Sequence, residues 1–194
     1  MAQEVLILHG WQNHRPDGHW QRWLADELTL GGARVRYPQL PEPDAPVLDD
    51  WIDHLEAELE GSDPDSLVVV AHSLGCLLWL AYVAHRSARG ETGRLAKRVL
   101  FVAPASANVL RGIPEIAAFA PADEIEWARE ALAATAAERG VVVGSADDPF
   151  CPEGAEHAYA APLGLDYVAV EAGGHLTPDD GFGPFPVVLT LATG

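Results

Sequence analysis

Four short apolar runs stand out in the chain, EVLIL at 4–8, SLVVVA at 66–71, KRVLFVA at 97–103 and GVVVG at 140–144, and the weaker RVRY at 34–37 and LDYVAV at 165–170 bring the expected strands to six. Each is separated from the next by a stretch of helical period or helix-forming composition, at 17–30, 47–60, 74–87, 123–139 and 153–161. Strands that alternate with helices lie parallel, because each crossover returns the chain to the same edge of the sheet. Most of the runs are continuously apolar, the pattern of strands covered by helices on both faces. The expected fold is an α/β three-layer sandwich around a six-stranded parallel sheet, and 194 residues suit one domain spanning 1–194.

The third expected strand passes into a helix with almost no linker. Residues 68–76 read VVVAHSLGC, and LGCLLWLAYVAHRS at 74–87 is apolar on nearly every side until its last turn, so it must be the most buried helix of the set. Between them lies Ala71-His72-Ser73-Leu74-Gly75, a small-x-Ser-x-Gly pattern in the strand-to-helix context that a nucleophile elbow requires. A turn that tight strains the serine backbone and admits only small residues two before and two after it, as Ala71 and Gly75 are. The plainer reading makes Ser73 a helix N-cap. His72 is a neighbour of the pocket whose side chain diverges from the turn, so a base for Ser73 has to come from elsewhere.

Other strand ends supply the candidates. If the second strand pairs outside the first and the third lies on the first strand's other side, the order is 2-1-3-4-5-6. Strands one and three then bracket the switch point where open α/β sheets bind ligands. His9-Gly10-Trp11 leaves the first strand there. The backbone N–H groups of Trp11 and Leu74, the latter at the positive end of its helix, could face a developing oxyanion. GSADDPFCP follows the fifth strand and EAGGHLTPDDGFGPFP the sixth, at the same edge. An activated serine needs a base and an acid that orients the base. His175 is the candidate base, because two glycines before it let the imidazole turn inward. Asp148 is the candidate acid, because Pro149 fixes a sharp turn after it. Asp147 competes for that role, and either acid could instead serve a surface turn.

The rest of the sequence bounds the function. Twelve Lys and Arg against 29 Asp and Glu give a formal net charge of -17, a field that repels phosphate backbones and anionic lipid, so neither nucleic acid nor a membrane is an expected partner. The first apolar run lacks a basic flank and a long hydrophobic stretch, which makes cytoplasm the expected location. Cys76 and Cys151 are too few for a disulfide scaffold and are expected reduced. His9, His14 and His19 recur at five-residue intervals, which does not put three ligands on one helical face, so no metal site is expected. Residues 104–122 join the fourth strand to the next helix and read either as a lid or pocket wall or as a plain long connection.

Taken together, these stretches resemble the small single-domain serine hydrolases of the α/β-hydrolase superfamily, among them the retinoblastoma-binding-protein-like hydrolases and bacterial relatives. The matching segments are HGWQN…HWQRWL at 9–24, DDWIDHL at 49–55, VVVAHSLGC at 68–76, SADDPFC at 145–151 and GGHLTPDDGFGPFP at 173–186. The resemblance implies a minimal α/β-hydrolase fold and a triad of Ser73, Asp148 and His175, which favours Asp148 over Asp147. Its implication for Trp11 is looser, because family members differ after the first strand. Retinoblastoma binding through LxCxE is not implied, since Leu74-Gly75-Cys76-Leu77-Leu78 lacks the glutamate and falls in the buried helix. The expected reaction is hydrolysis of a small acyl ester or thioester without metal or organic cofactor. Amide or peptide cleavage, and a hydrolase-fold binding role without turnover, are the alternatives.

Overall fold

The computed structural model describes residues 3–121, 125 and 128–194. Six strands, β1 Glu4–Leu8, β2 Arg34–Arg36, β3 Leu67–His72, β4 Arg98–Val102, β5 Val141–Ser145 and β6 Asp166–Val170, form one sheet. Its order is β2-β1-β3-β4-β5-β6 and every pairing is parallel. The expected order and direction therefore hold. Between β1 and β3 the register runs Glu4 to Leu67 through Leu8 to Ala71, so the C-terminal ends of these central strands finish side by side.

Alternate residues of the strands feed two separate cores, as the two-residue period of a strand dictates. Leu6, Leu8, Val69, Ala71, Phe101 and Val142 face one layer, where Trp51 and Leu55 of α2 (Leu48–Leu59) and Leu77 and Trp79 of α3 (Leu74–Ala88) pack. Val5, Ile7, Val68, Val70, Leu100, Val102 and Val143 face the other. There Trp20, Leu24 and Leu28 of α1 (Trp20–Leu30) meet Val188 and Ala192 of a C-terminal helix. The architecture is that of the α/β-hydrolases. Nine of the first ten residues of α3 are buried, which matches its apolar sequence and encloses Leu74, Cys76 and Leu78 within the protein.

Four details depart from the sequence expectation. The described part of 104–122 is more than a plain connection: α4 (Ala107–Arg111) is capped by Ser106, whose hydroxyl accepts from Val109 N, and a 3-10 turn follows at Ala117–Phe119. Phe119 is buried with its ring edge-on to Trp51 at 5.1 Å. The helix expected over 123–139 is described only as α5 (Ala128–Thr135); residues 122–124, 126 and 127 lie outside the described residues. It stops because Ala136 makes a parallel bridge to Ala96. The helix expected over 153–161 instead begins as a π turn at Glu156–Ala160 and runs into α6 (Ala161–Leu163).

The last helix, α7 (Pro186–Thr193), follows a segment for which the sequence suggests no element. PVVLTLAT is rich in β-branched residues, whose local preference is for strand. Pro186 at the first helical position presets the backbone, and burial of Val188 and Ala192 against the sheet and α1 overrides that preference.

Candidate active site

Ser73 sits where β3 gives way to α3, with φ 52 and ψ -121. A non-glycine residue in that region is strained by about 1–3 kcal/mol, which the surroundings must hold in place. They do so from three sides. Ser73 N donates to Val102 O at 3.0 Å, Cys76 N donates to Ser73 O at 3.0 Å, and the end of β1 presses against the turn. A Cβ on Gly75 would lie 2.8 Å from Leu8 O, and one on Gly10 would lie 2.8 Å from the Ser73 Cβ. Both glycines are therefore required by close approach. The Ser73 side chain makes no bond to the helix amides, so it is not an N-cap.

The hydroxyl points instead to His175, whose Nε2 lies 2.8 Å from Ser73 Oγ. On the far side of the ring, Nδ1 is 2.9 Å from each carboxylate oxygen of Asp148. An ionised carboxylate only accepts, so Nδ1 carries the proton and Nε2 is left to accept from the serine hydroxyl. Asp148 is 2% exposed, and its Oδ1 also accepts from Phe150 N at 2.8 Å, an Asx turn with Pro149 at its centre. The Phe150 ring lies 4.5 Å from the imidazole, which shields the pair from water.

Asp147 does not touch the His175 ring. Its carboxylate is exposed and accepts from Gly174 N at 3.0 Å and from the Ser145 hydroxyl. Those bonds, the serine's first and the glycine amide's second, hold its carboxyl below the usual carboxylate range. The structure thus brings Ser73, His175 and Asp148 into one hydrogen-bonded row and puts Asp147 beside it on the loop.

His72 is buried, and its Nε2 donates to His175 O at 3.1 Å, so it braces the backbone of the imidazole-bearing residue. Burial, with His175 beside it, pushes its pKa well below the ordinary 6.5, so it stays neutral. His19 caps α1, Nδ1 accepting from Gln21 N at 3.2 Å, and burial lowers its pKa to about 4. His9 is likewise lowered to about 4 by burial; its Nε2 accepts from Leu40 N at 2.9 Å and its Nδ1 donates to Gly10 O at 2.8 Å. His14 pairs with Asp44 at 3.1 Å. The three histidines at five-residue spacing thus have separate duties, and no group of three potential metal ligands occurs among the described residues.

A cleft of about 480 Å³ opens over Ser73 and His175, walled by the loop from Gly10 to His19 and by Thr177 to Asp179. None of the described residues of 104–122 lines it, so that segment is neither lid nor wall to this cleft. Trp11 and Leu74 both flank Ser73, and among the described residues neither backbone N–H donates to a protein acceptor. Trp11 is anchored by its indole, which donates to Asp44 O at 3.1 Å.

Several supporting residues escaped the sequence reading. Gly173 N donates to Ser145 Oγ at 2.9 Å, His175 N donates to Asp180 Oδ2 at 3.1 Å, and the Trp20 indole donates to Leu176 O at 2.9 Å. The one local signal was the Thr-Pro-Asp-Asp run at 177–180, which forms a capping box between Thr177 and Asp180.

The sequence profile of the serine hydrolase family matches residues 5–193. YdeN of Bacillus subtilis (strain 168), which carries the name of a hydrolase, is 26% identical over 193 residues, covering 100% of this chain and 96% of YdeN. The crystal structure of that ydeN gene product superposes with a TM-score of 0.80 at 24% identity, covering 99% of this chain and 97% of the other. Est1E from Butyrivibrio proteoclasticus, solved with ferulic acid bound, gives a TM-score of 0.70 at 14% identity, covering 98% and 86%. These structural likenesses speak to the fold.

Proposed function

The chain belongs to the serine hydrolase family, and from that premise we propose that it cleaves small acyl esters and thioesters through an acyl-enzyme on Ser73. Ser73 Oγ attacks the carbonyl carbon while its proton passes to His175 Nε2. Asp148 holds the Nδ1–H tautomer and stabilises the imidazolium that forms. The negative oxygen of the tetrahedral intermediate is met by the N–H groups of Leu74 and Trp11, donors worth about 3 kcal/mol each in such sites. Collapse expels the alcohol or thiol, which takes the proton from Nε2. Water then attacks the acyl carbon and gives a proton to the same nitrogen; the second tetrahedral intermediate collapses by breaking the bond to Ser73 Oγ, which takes that proton back from Nε2 as the acid leaves.

The observation that carries this reading is the unbroken row from a strained serine through His175 to a buried carboxylate, with separations of 2.8 and 2.9 Å. The cleft volume of about 480 Å³ suits a small acyl compound. With a chain charge of -17, the partner is a small molecule, with neither nucleic acid nor anionic lipid involved.

The test is labelling of the native protein with a fluorophosphonate, alongside turnover of the matched acetyl ester, thioester and anilide of one aryl group. Ser73→Ala should abolish labelling and lower kcat by about 10⁶-fold. Equal labelling of the two proteins would remove Ser73 as nucleophile. If neither is labelled and no acyl compound is turned over, a binding role on the hydrolase fold replaces this reading. Preference for the anilide would make it an amidase.

A further inference from the structure

Two strand-end loops meet beneath the His175 ring, and their contacts form a ladder of side chains on one side and consecutive residues on the other. Ser145 Oγ takes Gly173 N at 2.9 Å, Asp147 Oδ1 takes Gly174 N at 3.0 Å, and the Asp148 carboxylate takes His175 Nδ1 at 2.9 Å. The Ser145 hydroxyl also donates to Asp147 Oδ1, which joins the first two rungs. From the opposite side, Asp180 Oδ2 takes His175 N, Thr177 N and the Thr177 hydroxyl. Three successive main-chain amides, 173 to 175, therefore each end on a side-chain oxygen.

The turn they hold has little intrinsic stability. Gly174 has φ 53, and a Cβ there would run into the Asp180 carboxylate; a Cβ on Gly173 would meet the Leu176 side chain at 2.7 Å and that of Val170 at 2.9 Å. A side chain at 174 would be strained by its positive φ, and one at either position would force Leu176, Val170 or Asp180 to shift, while a Gly-Gly pair is the most freely rotating step a chain can contain. Left to its own torsions, it would let His175 swing away from Ser73 and Asp148. A displacement near 1 Å of a reacting group costs on the order of 10²-fold in rate.

We propose that Asp147 is a positioning residue of the hydrolase, fixing the register of the Gly173-Gly174 turn so that the His175 imidazole falls between Asp148 and Ser73. It acts through the acceptor oxygen that joins Gly174 N to the Ser145 hydroxyl and has no contact with the reacting atoms. The adjacent acids divide the work: Asp148 binds the ring and Asp147 binds the backbone that carries it. The proposal rests on the reading of His175 as the base.

Asp147→Ala, Asp147→Asn and Ser145→Ala are compared with wild type by steady-state turnover of an aryl ester and by the imidazole Nδ1 proton resonance of His175. Asp147 is exposed, and urea midpoints are the check that each variant is folded. The alanine variant should lose roughly 30- to 100-fold in kcat with KM within about threefold, and its Nδ1 proton should broaden as the Asp148 bond loosens. Asparagine keeps the acceptor oxygen and should restore kcat to within about fivefold of wild type, with the sharp resonance. Ser145→Ala should follow alanine in direction. Wild-type kcat and resonance in Asp147→Ala would overturn the proposal. So would an asparagine variant as impaired as alanine, which would assign the effect to charge. If Ser73→Ala proves fully active, the hydrolase reading fails on its own. The resonance of Asp147→Ala then still decides whether the turn is held by this carboxylate.

Discussion

Replacing Gly75 by alanine should damage the protein although alanine is the better helix former. Gly75 is the second residue of α3, and the added methyl would sit 2.7 Å from His9 O, 2.8 Å from Leu8 O and 3.1 Å from Leu8 C. These separations are far inside the roughly 3.5 Å at which such atoms attract. Neither partner can retreat. The Leu8 carbonyl already accepts from the buried Gln21 side chain at 2.9 Å, and β1 is clamped between β2 and β3. Overpacking against fixed backbone costs about 3 kcal/mol, against which helix propensity returns at most about 1 kcal/mol. The net loss is about 2 kcal/mol, or roughly 4–8 °C in melting temperature for a chain of this size. Any shift that relieves the clash moves Ser73 relative to Trp11, so ester turnover should fall on the order of 10²-fold as well. Thermal melts and urea titrations read the first effect, steady-state hydrolysis the second. Gly18→Ala is the control, because a Cβ there meets nothing within 4 Å. A Gly75→Ala protein that melts at or above wild type would refute the argument that β1 and the elbow are in backbone contact.

Asp148→Asn should lower kcat by about 10⁴-fold, because the amide favours the wrong imidazole tautomer, while Asp147→Asn stays within about fivefold; steady-state kinetics that reverse this order would reject the assignment. Buried His9 and His19 have folded pKa values of about 4 against an ordinary 6.5, so the unfolded chain binds protons that the folded one refuses. Their contribution is intact above 6.5 and lost as pH falls from there toward 4. Between pH 7 and pH 5 this amounts to roughly 2 kcal/mol per histidine, and urea titrations at those two pH values with equal unfolding free energies would contradict it. Cys76 and Cys151 are both buried and free, with burial pushing the Cys76 thiol up and the Cys151 thiol up to about 12. A thiol-specific chromogenic reagent should therefore leave both untouched in the native protein and count two after denaturation.

The fold could be read from the order of apolar runs because parallel crossovers permit few arrangements. The elbow could be read because a strand, a serine and two small residues are contiguous at 69–75. Where reading failed, a distant contact had outvoted the local pattern. Pro186–Thr193 is β-branched in sequence yet helical, because Val188 and Ala192 cover the sheet beside α1. Residues 104–122 fold partly as helix, and Phe119 packs on Trp51, away from the cleft.

The same division separates the two neighbouring acids. Sequence alone determined that a carboxylate and an imidazole would arrive at the edge where Ser73 stands, because strand order and the Asp-Pro and Gly-Gly turns are local and periodic signals. It favoured Asp148 as the orienting acid, through Pro149 and the family resemblance, but gave Asp147 no duty of its own, since either acid can make a turn. Only the tertiary structure turned Asp148 inward to both the imidazole and Phe150 N, and Asp147 outward to Gly174 N and Ser145. That choice belongs to residues 145–148 meeting 173–175 across the sheet edge, a contact between segments distant in sequence that no local pattern records.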